Sequence, residues 1–300
     1  MKKLKGLMVN ICTTCHMRCR HCSNADTLCN VNTIDISIVD KCIKVMEIFG
    51  VDNITIVGGE PFEEFELLKN VCRIMYNNGK KISVITNGLW AQDINKGEEV
   101  LAMLPGVRNF IVSSDLYHLE FISEKTVRNV VELCQKYNID VSIHAVCANK
   151  ADAEKVRRVY QNLSNKILIN TNMVMPIGAA KMLEIDRFVL REKFDKFSRF
   201  CGAGNIYVDI NGNIYGCCNA CLARGKFFYY GNLMEISPCE VAEMISQDST
   251  FQYIIKYGPR GLKDILIDLG KSDIFLDKKY TCECDACVDI LKNILNNEFQ

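Results

Sequence analysis

Short apolar segments rich in β-branched residues alternate with longer amphipathic segments in the chain as far as about Met175. In the first amphipathic segment, apolar residues recur at helical spacing up to Phe49, and Gly50 can end the helix. Strand patterns that alternate with helix patterns are typical of parallel βαβ units. The predicted strands are residues 6–11, 53–57, 81–85, 109–113, 140–146 and 166–175.

Six units of about 30 residues each are too few for a closed eight-stranded barrel, which takes about 250 residues. The sequence therefore predicts an α/β fold in which residues 1–180 form a partial, open (β/α)6 TIM barrel. The pattern changes after residue 180. There, the segments NIYVDI and NIYGC flank Asn211-Gly212, which suits a type I′ turn in a β-hairpin, and helical patterns follow near 234–246, 261–270 and 286–295. We expect residues 181–300 to form a smaller α+β domain.

The charge balance argues against polyanionic partners. The 300 residues include 36 Lys plus Arg and 36 Asp plus Glu, so no strong field favours nucleic acid or an anionic membrane. No apolar run approaches the length of a bilayer span, and the N-terminus does not resemble a signal peptide. We therefore expect a cytoplasmic protein with neither nucleic acid nor membrane as a partner.

The chain contains 17 cysteines, and the cytosol keeps thiols reduced, so these residues predict a metal site rather than a disulfide framework. The first group has CxxxCxxC spacing in a loop after the first predicted strand. Its members are Cys15, Cys19 and Cys22. Three thiolates leave one iron of an ordinary iron-sulfur cluster open for another ligand. A closed zinc site with His16 or His21 as the fourth ligand is the alternative.

The segment GGEP follows the second predicted strand, at the end where barrel sites are built. Consecutive glycines let the backbone approach a ligand closely. Together, CHMRCRHC and GGE resemble the radical SAM superfamily. This resemblance implies a 4Fe-4S cluster on the three cysteines, with S-adenosylmethionine (SAM) on the fourth iron and its amino group held by Gly58, Gly59 and Glu60. His21 stands where an aromatic residue is usual and is expected to pack over the adenine.

Polar residues at other strand ends are further candidates, because the carboxyl ends of barrel strands meet ligands. The candidate SAM contacts are Asn87, Ser114, His144 and Lys181. The segment SSDLYH also offers Asp115 and His118 as candidate substrate contacts. A helix cap at Asp115 and a helix surface position for His118 are the alternative interpretation.

A second group of cysteines lies in the C-terminal part and can supply four thiolates to a closed cluster. The predicted ligands are Cys201, Cys217, Cys284 and Cys287, with Cys282 as a substitute for Cys284. Zinc is chemically possible at the same residues. The arrangement resembles the SPASM/twitch domains of radical SAM peptide-modifying enzymes. Because a downstream CxxCxxxxxC run is absent, the resemblance implies a twitch-like domain with one auxiliary 4Fe-4S cluster.

The pair Cys217-Cys218 ends the predicted hairpin. Neighbouring side chains on a strand point to opposite faces, so we expect Cys218 to point away from a cluster held by Cys217 and to remain a thiol. Such a thiol can return hydrogen to a carbon radical. Cys221 is a substitute for it, and a buried, unreactive Cys218 is the alternative.

The motifs TNGLW, SSDLYHLEFI, PIGAAK, the hairpin with its Cys-Cys pair and the terminal CxxC resemble the YydG-type epipeptide epimerases. This resemblance implies conversion of L- to D-residues in a ribosomal precursor peptide, with Cys218 as hydrogen donor and flavodoxin or ferredoxin as low-potential electron donor. A radical SAM maturase that forms thioether or carbon-carbon cross-links is the alternative.

Overall fold

The computed structural model describes residues 4–28, 31–163, 165–183, 192–193, 204–218, 227–276 and 278–295. The strands are β1 (Gly6–Asn10), β2 (Asn53–Val57), β3 (Lys81–Thr86), β4 (Val107–Ser113), β5 (Asp140–Cys147), β6 (Leu168–Met173), β7 (Glu192–Lys193), β8 (Asn205–Val208), β9 (Asn213–Tyr215), β10 (Tyr229–Asn232) and β11 (Lys279–Tyr280). Within these residues, nine strands form one sheet in the order β10-β9-β8-β1-β2-β3-β4-β5-β6, and β7 pairs with β11.

The strands β1 to β6 are parallel, and a helix connects each of them to the next. These helices are α1 (Ile36–Phe49), α2 (Phe65–Asn77), α3 (Ile94–Ala102), α4 (Glu124–Lys136) and α5 (Lys150–Val159). Because β6 lies at one end of the sheet, the barrel stays open. The predicted α/β fold with a partial barrel is confirmed.

Local sequence explains where α1 begins and ends. The Asp35 side chain accepts a hydrogen bond from the Ser37 backbone N–H at 2.8 Å, which caps the first turn. Gly50 adopts the left-handed conformation with φ 61°, which a residue without Cβ tolerates, and ends the helix as predicted. The buried face of α1 includes Val39 and Met46 and belongs to the same hydrophobic core as the strands.

The predicted hairpin is present, and its first strand extends the barrel sheet. Strand β8 pairs with β1 in parallel, from Gly6 opposite Asn205 to Val9 opposite Val208. The turn differs from the predicted type I′, because Gly212 has a positive φ whereas Asn211 does not. Instead, the Asp209 side chain accepts hydrogen bonds from the backbone N–H groups of Asn211 and Asn213. The sheet thus crosses residue 180, and the division into two domains there stays a prediction.

The C-terminal part contributes further helices. They are α6 (Pro238–Gln247), α7 (Ser249–Tyr257), α8 (Gly261–Asp268), α9 (Asp273–Leu276) and α10 (Glu283–Leu295). Short 3-10 helices occur at Ala25–Thr27, Pro61–Glu64, Leu89–Ala91, His118–Glu120 and Gly178–Met182. Among the described residues, no helix combines the length and the apolar character that a membrane crossing requires.

Candidate functional site

A cavity of about 430 Å³ opens at the carboxyl ends of the parallel strands. It brings together many of the predicted site residues. Those that line it are Cys15, Cys19, His21, Cys22, Gly58, Gly59, Glu60, Asn87, His118 and Cys218. The predicted SAM and substrate contacts outside this lining are Ser114, Asp115, His144 and Lys181.

The two glycines let the cysteine loop dock against the end of β2. The Gly59 N–H donates to the Cys12 carbonyl at 2.8 Å, and the Glu60 N–H donates to the Thr14 carbonyl at 2.7 Å. A Cβ on Gly59 would stand 2.3 Å from the Thr14 carbonyl oxygen, and one on Gly58 would stand 2.7 Å from the Cys12 sulfur. The close approach that the glycines permit is therefore to the chain's own cysteine loop.

The buried Glu60 carboxylate ties the end of β2 to the end of β3. It accepts hydrogen bonds from Thr86 Oγ1 at 2.8 Å, from the Asn87 backbone N–H at 2.6 Å and from the Phe62 backbone N–H at 3.2 Å. Burial raises the pKa of Glu60 to about 7, although these hydrogen bonds act in the opposite direction.

His21, between the second and third motif cysteines, is fixed by a buried carboxylate. Its Nε2 lies 3.1 Å from Asp115 Oδ2, and His118 Nδ1 lies 3.0 Å from the same oxygen. The His21 ring also stacks on Tyr117, with 4.6 Å between ring centroids. These contacts join the cysteine loop to the segment after β4.

Asp115 is fully buried and accepts three backbone hydrogen bonds besides its two histidine contacts. The donors are Tyr117 N–H at 3.0 Å, His118 N–H at 3.1 Å and Val146 N–H at 3.1 Å. Burial alone would raise the pKa of Asp115, but hydrogen bonds from His118 and His21 outweigh it and hold that pKa well below its usual range. Asp115 thus caps its own turn, as one interpretation of this segment expects, and it also anchors His21.

The three motif cysteines suit a shared metal cluster. All of them line the cavity, and the interactions that raise the Cys19 pKa include those with Cys22 and Cys15. Burial raises the pKa of Cys15 and of Cys19 to about 12, so these thiols must lose protons when they bind iron. His16 is not turned toward them, because its Nδ1 lies 2.6 Å from Glu63 Oε2.

His21 is close to one of these cysteines. Cys19, His21 and His118 offer ligand atoms that lie within 4.8 Å of one another. The zinc alternative thus retains His21 as a nearby donor.

The cavity also offers polar atoms that suit SAM. Asn87 Nδ2 and His21 Nδ1 are buried and have no hydrogen-bond partner among the described residues. Buried polar atoms are nearly always hydrogen-bonded in native proteins, so these two are suited to a polar ligand. The donor set therefore fits the adenosyl part of SAM beside a cluster on the cysteines.

Three predicted SAM contacts have other surroundings. The Ser114 hydroxyl is 2.6 Å from the Tyr160 hydroxyl in the core. His144 contacts Asn172 on β6, and burial lowers the pKa of this histidine. Lys181 is exposed on the 3-10 helix Gly178–Met182.

That 3-10 helix nevertheless supports the cysteine loop. The Ala179 N–H donates to the Cys22 carbonyl at 2.9 Å. Gly178 has φ +55°, and a Cβ there would stand 2.3 Å from the Cys22 carbonyl oxygen. The PIGAAK motif thus contacts the third motif cysteine through backbone.

Cys217 and Cys218 follow β9 after Gly216, outside the strand. A hydrogen bond with Cys217 lowers the pKa of Cys218 to about 7, although burial opposes this shift. The two side chains therefore interact, and the prediction that they point to opposite faces of a strand is wrong, because both residues lie beyond the end of β9. Cys201 and Cys221 lie outside the described residues.

The terminal cysteines gather at the start of α10. Cys287 is buried, Cys284 is exposed, and Cys282 lies between these extremes. A hydrogen bond with Cys284 lowers the pKa of Cys282 to about 7 against the effect of burial. Cys282 and Cys284, the alternative ligands for one position of the proposed cluster, thus lie side by side.

Sequence reasoning missed several cavity residues. They include Met8, Met17 and Tyr207. Tyr207 alternates with buried Ile206 and Val208 along β8, so the period-2 pattern places it on the other face of the sheet. Tyr207 could not be assigned to the cavity because the sequence does not show which strand β8 pairs with.

An open parallel α/β sheet that presents three clustered cysteines beside a glycine-rich loop defines an iron-sulfur enzyme with a ligand cavity at its strand ends. Residues 9–179 match the Radical SAM superfamily, and the chain belongs to this superfamily. Membership implies a 4Fe-4S cluster and SAM as cofactors.

Two curated proteins are similar to the chain. YydG of Bacillus subtilis (strain 168), whose name assigns it to peptide biosynthesis, is 25% identical over 299 residues, or 94% of this chain and 91% of that protein. A protein of Methanocaldococcus jannaschii named as a glycyl-radical enzyme activating enzyme is 26% identical over 156 residues, or 50% of this chain and 60% of that protein.

One similarity to a solved structure is remote. A short chain dehydrogenase/reductase from Burkholderia phymatum in complex with NAD is 10% identical, with a TM-score of 0.23 over 90% of this chain and 97% of that one. A similarity at this level bears on neither fold nor function.

Proposed function

We propose that the protein is a radical SAM peptide epimerase, which converts L-residues to D-residues in a ribosomally made precursor peptide. The observation that carries this proposal is that Cys218 lines the same cavity as the three motif cysteines and Glu60. A thiol in this cavity can give hydrogen to a carbon radical formed there. The similarity to YydG over most of both chains supports a peptide as the substrate.

Cys15, Cys19 and Cys22 would hold the cluster, and Asn87 and His21 offer polar atoms to SAM. The cluster and SAM, when bound, supply an adenosyl radical that removes hydrogen from the peptide Cα. Gly58, Gly59, Ser114, His144 and Lys181 are weaker candidates for direct SAM contact. Asp115 and His118 position the His21 ring. Cys218 then returns hydrogen from the other side of the Cα radical.

We further propose one auxiliary 4Fe-4S cluster in a twitch-like C-terminal domain. Its ligands would be Cys201, Cys217, Cys287 and either Cys284 or Cys282. Low-potential electrons would come from flavodoxin or ferredoxin. Reconstituted Cys287→Ala protein is expected to lose about four irons per chain while it keeps the radical SAM cluster.

The central test is anaerobic incubation of the reconstituted enzyme, SAM, a reductant and a candidate neighbouring-gene peptide in D₂O. Hydrogen return from an exchangeable thiol predicts a gain of about 1 Da at Cα per event, and chiral analysis must then find a D-residue. Cys218→Ala is expected to form 5′-deoxyadenosine without the D-residue. Cys239→Ala is the matched control, because Cys239 is an exposed cysteine on α6.

Two results would contradict the proposal. A loss of about 2 Da from the peptide would indicate the cross-linking maturase, because cross-linking removes hydrogen without returning it. Full epimerase activity in Cys218→Ala would exclude this thiol as the donor and direct attention to Cys221.

A further inference from the structure

Three tyrosines lie at directly paired positions on neighbouring strands of the extended sheet. Tyr207 on β8 pairs with Tyr215 on β9, and Tyr215 pairs with Tyr229 on β10. The ring centroids are 6.1 Å apart in the first pair and 5.4 Å apart in the second. We call these residues the tyrosine row.

The tyrosine row runs from the cavity to the protein surface. Tyr207 lines the cavity together with Cys218. Tyr215 is buried in the middle of the row, and Tyr229 is 37% exposed at its outer end. The row therefore connects the candidate hydrogen donor with solvent across three adjacent strands.

Each phenol in the row has a polar neighbour. Asn10 Nδ2 donates to the Tyr207 hydroxyl at 3.3 Å, and the Tyr229 hydroxyl donates to Asn213 Oδ1 at 3.3 Å. Tyr215 hydrogen-bonds to the Asp209 carboxylate, which can accept its proton. A phenol at its ordinary pKa of about 10 keeps at neutral pH the O–H that hydrogen transfer requires.

Packing alone does not require the hydroxyl groups. Cross-strand aromatic pairs stabilise a sheet by about 0.2–1 kcal/mol through their rings, and Phe would serve equally well. The buried Tyr215 hydroxyl sits beside a carboxylate, which is a position where Phe would avoid desolvation of a polar group. This arrangement favours a chemical use of the phenol.

We propose that the tyrosine row restores the Cys218 thiol after each hydrogen donation. This inference rests on the proposed epimerase function and extends it, because hydrogen donation leaves a thiyl radical that must be reduced before the next turnover. The phenol O–H and thiol S–H bonds are of similar strength. Transfer between them is therefore close to balanced in energy.

The transfers conserve atoms and electrons. The Cys218 thiyl takes a hydrogen atom from Tyr207, so an S–H bond forms and an O–H bond breaks. The Tyr207 phenoxyl takes an electron from Tyr215 and a proton that bulk solvent supplies through the open cavity, while Tyr215 passes its own proton to Asp209. Tyr215 then regains an electron from Tyr229 and its proton from Asp209.

Tyr229 completes the sequence at the surface. It releases its proton to solvent when it gives up an electron, and it regains a proton from solvent when it is reduced. The electron comes from a one-electron donor of the ferredoxin or flavodoxin class. The net change is one electron and one proton added to the Cys218 thiyl.

The test uses the reconstituted holoenzyme with peptide, SAM and reductant in D₂O, and compares Tyr215→Phe with wild type. Tyr215→Phe keeps the ring and removes the O–H. It is expected to incorporate deuterium normally in the first turnover, whereas its total number of turnovers falls by about tenfold or more. Tyr257→Phe is the matched control, because Tyr257 is a partly exposed tyrosine on α7, outside the cavity.

A spectroscopic readout separates a relay from a packing role. Freeze-quenched wild-type samples are expected to give a tyrosyl electron paramagnetic resonance signal that narrows with ring-deuterated tyrosine. Tyr207→Phe and Cys218→Ala are each expected to abolish this signal, because each change removes one partner of the first hydrogen transfer.

The outcomes distinguish the two proposals. If wild type and Cys218→Ala epimerise the peptide equally, the proposed function and the relay both fail. If epimerisation depends on Cys218 but Tyr215→Phe and Tyr207→Phe sustain wild-type turnover numbers without a tyrosyl signal in wild type, the relay alone is refuted. The auxiliary cluster would then be the reductant of the thiyl.

Discussion

Replacement of Asp115 by Asn is expected to destabilise the metal-free protein by about 2–6 kcal/mol, because it leaves at least two of the buried donors around this carboxylate without a full acceptor. Asp115 Oδ2 faces His21, His118 and the Val146 N–H. An Asn in the same rotamer would turn either its NH₂ group or a weaker acceptor toward these donors. Each buried donor left without an acceptor costs about 1–3 kcal/mol, so two such donors account for the expected loss of stability.

Anaerobic urea unfolding, followed by circular dichroism with the thiols kept reduced, measures this loss. Asp40→Asn on α1 is the matched control, because Asp40 is exposed and the same substitution there should change the free energy of unfolding by less than about 0.5 kcal/mol. A loss below about 1 kcal/mol at Asp115 would refute the view that this carboxylate anchors His21.

Three further predictions concern the same region. Gly59→Ala should lower iron retention after reconstitution, because its Cβ would clash with the backbone of the cysteine loop. Gly79→Ala is the control for backbone strain alone, because Gly79 has φ +70° but nothing within 4 Å of an added Cβ, and it should retain the iron. Equal iron content in both variants would contradict the docking role. Ser114→Ala should cost about 1–3 kcal/mol of stability in urea unfolding by leaving the Tyr160 hydroxyl unpaired, and wild-type stability would contradict this. Burial raises the pKa of Glu60 to about 7, so this side chain is neutral in the folded protein at pH 4.5 and becomes charged as the pH rises. The free energy of unfolding of wild type should therefore fall relative to that of Glu60→Gln by about 3 kcal/mol between pH 4.5 and 7. Parallel pH profiles of the two proteins would exclude the raised pKa.

The sequence predicted the parallel strands well, because runs of β-branched residues mark them locally. The observed β2 has the predicted bounds, and Gly50 ends α1 as expected. The candidate site was recognised through motifs whose cysteines are close in sequence. These motifs lie at strand ends, where a parallel sheet gathers them.

Long-range pairing could not be read from local pattern. Nothing in the segment around Tyr207 indicates that β8 pairs with β1, since hydrophobic alternation identifies a strand but not its neighbour. The contact between His21 and Asp115 likewise depends on how two distant loops pack. Cys217 and Cys218 were assigned to opposite faces because the strand was extended too far along the chain.

The pairing of β8 with β1 has a practical consequence for work on fragments. A fragment that ends at residue 180 would leave one side of β1 with unpaired N–H and C=O groups from Gly6 to Val9. Unpaired backbone on an apolar strand is a template for association with other chains, so such a fragment should aggregate. The cysteine loop follows β1 directly, and self-association would therefore reach the segment that binds iron. Expression of the barrel for crystallisation or engineering should retain the strands as far as Asn232.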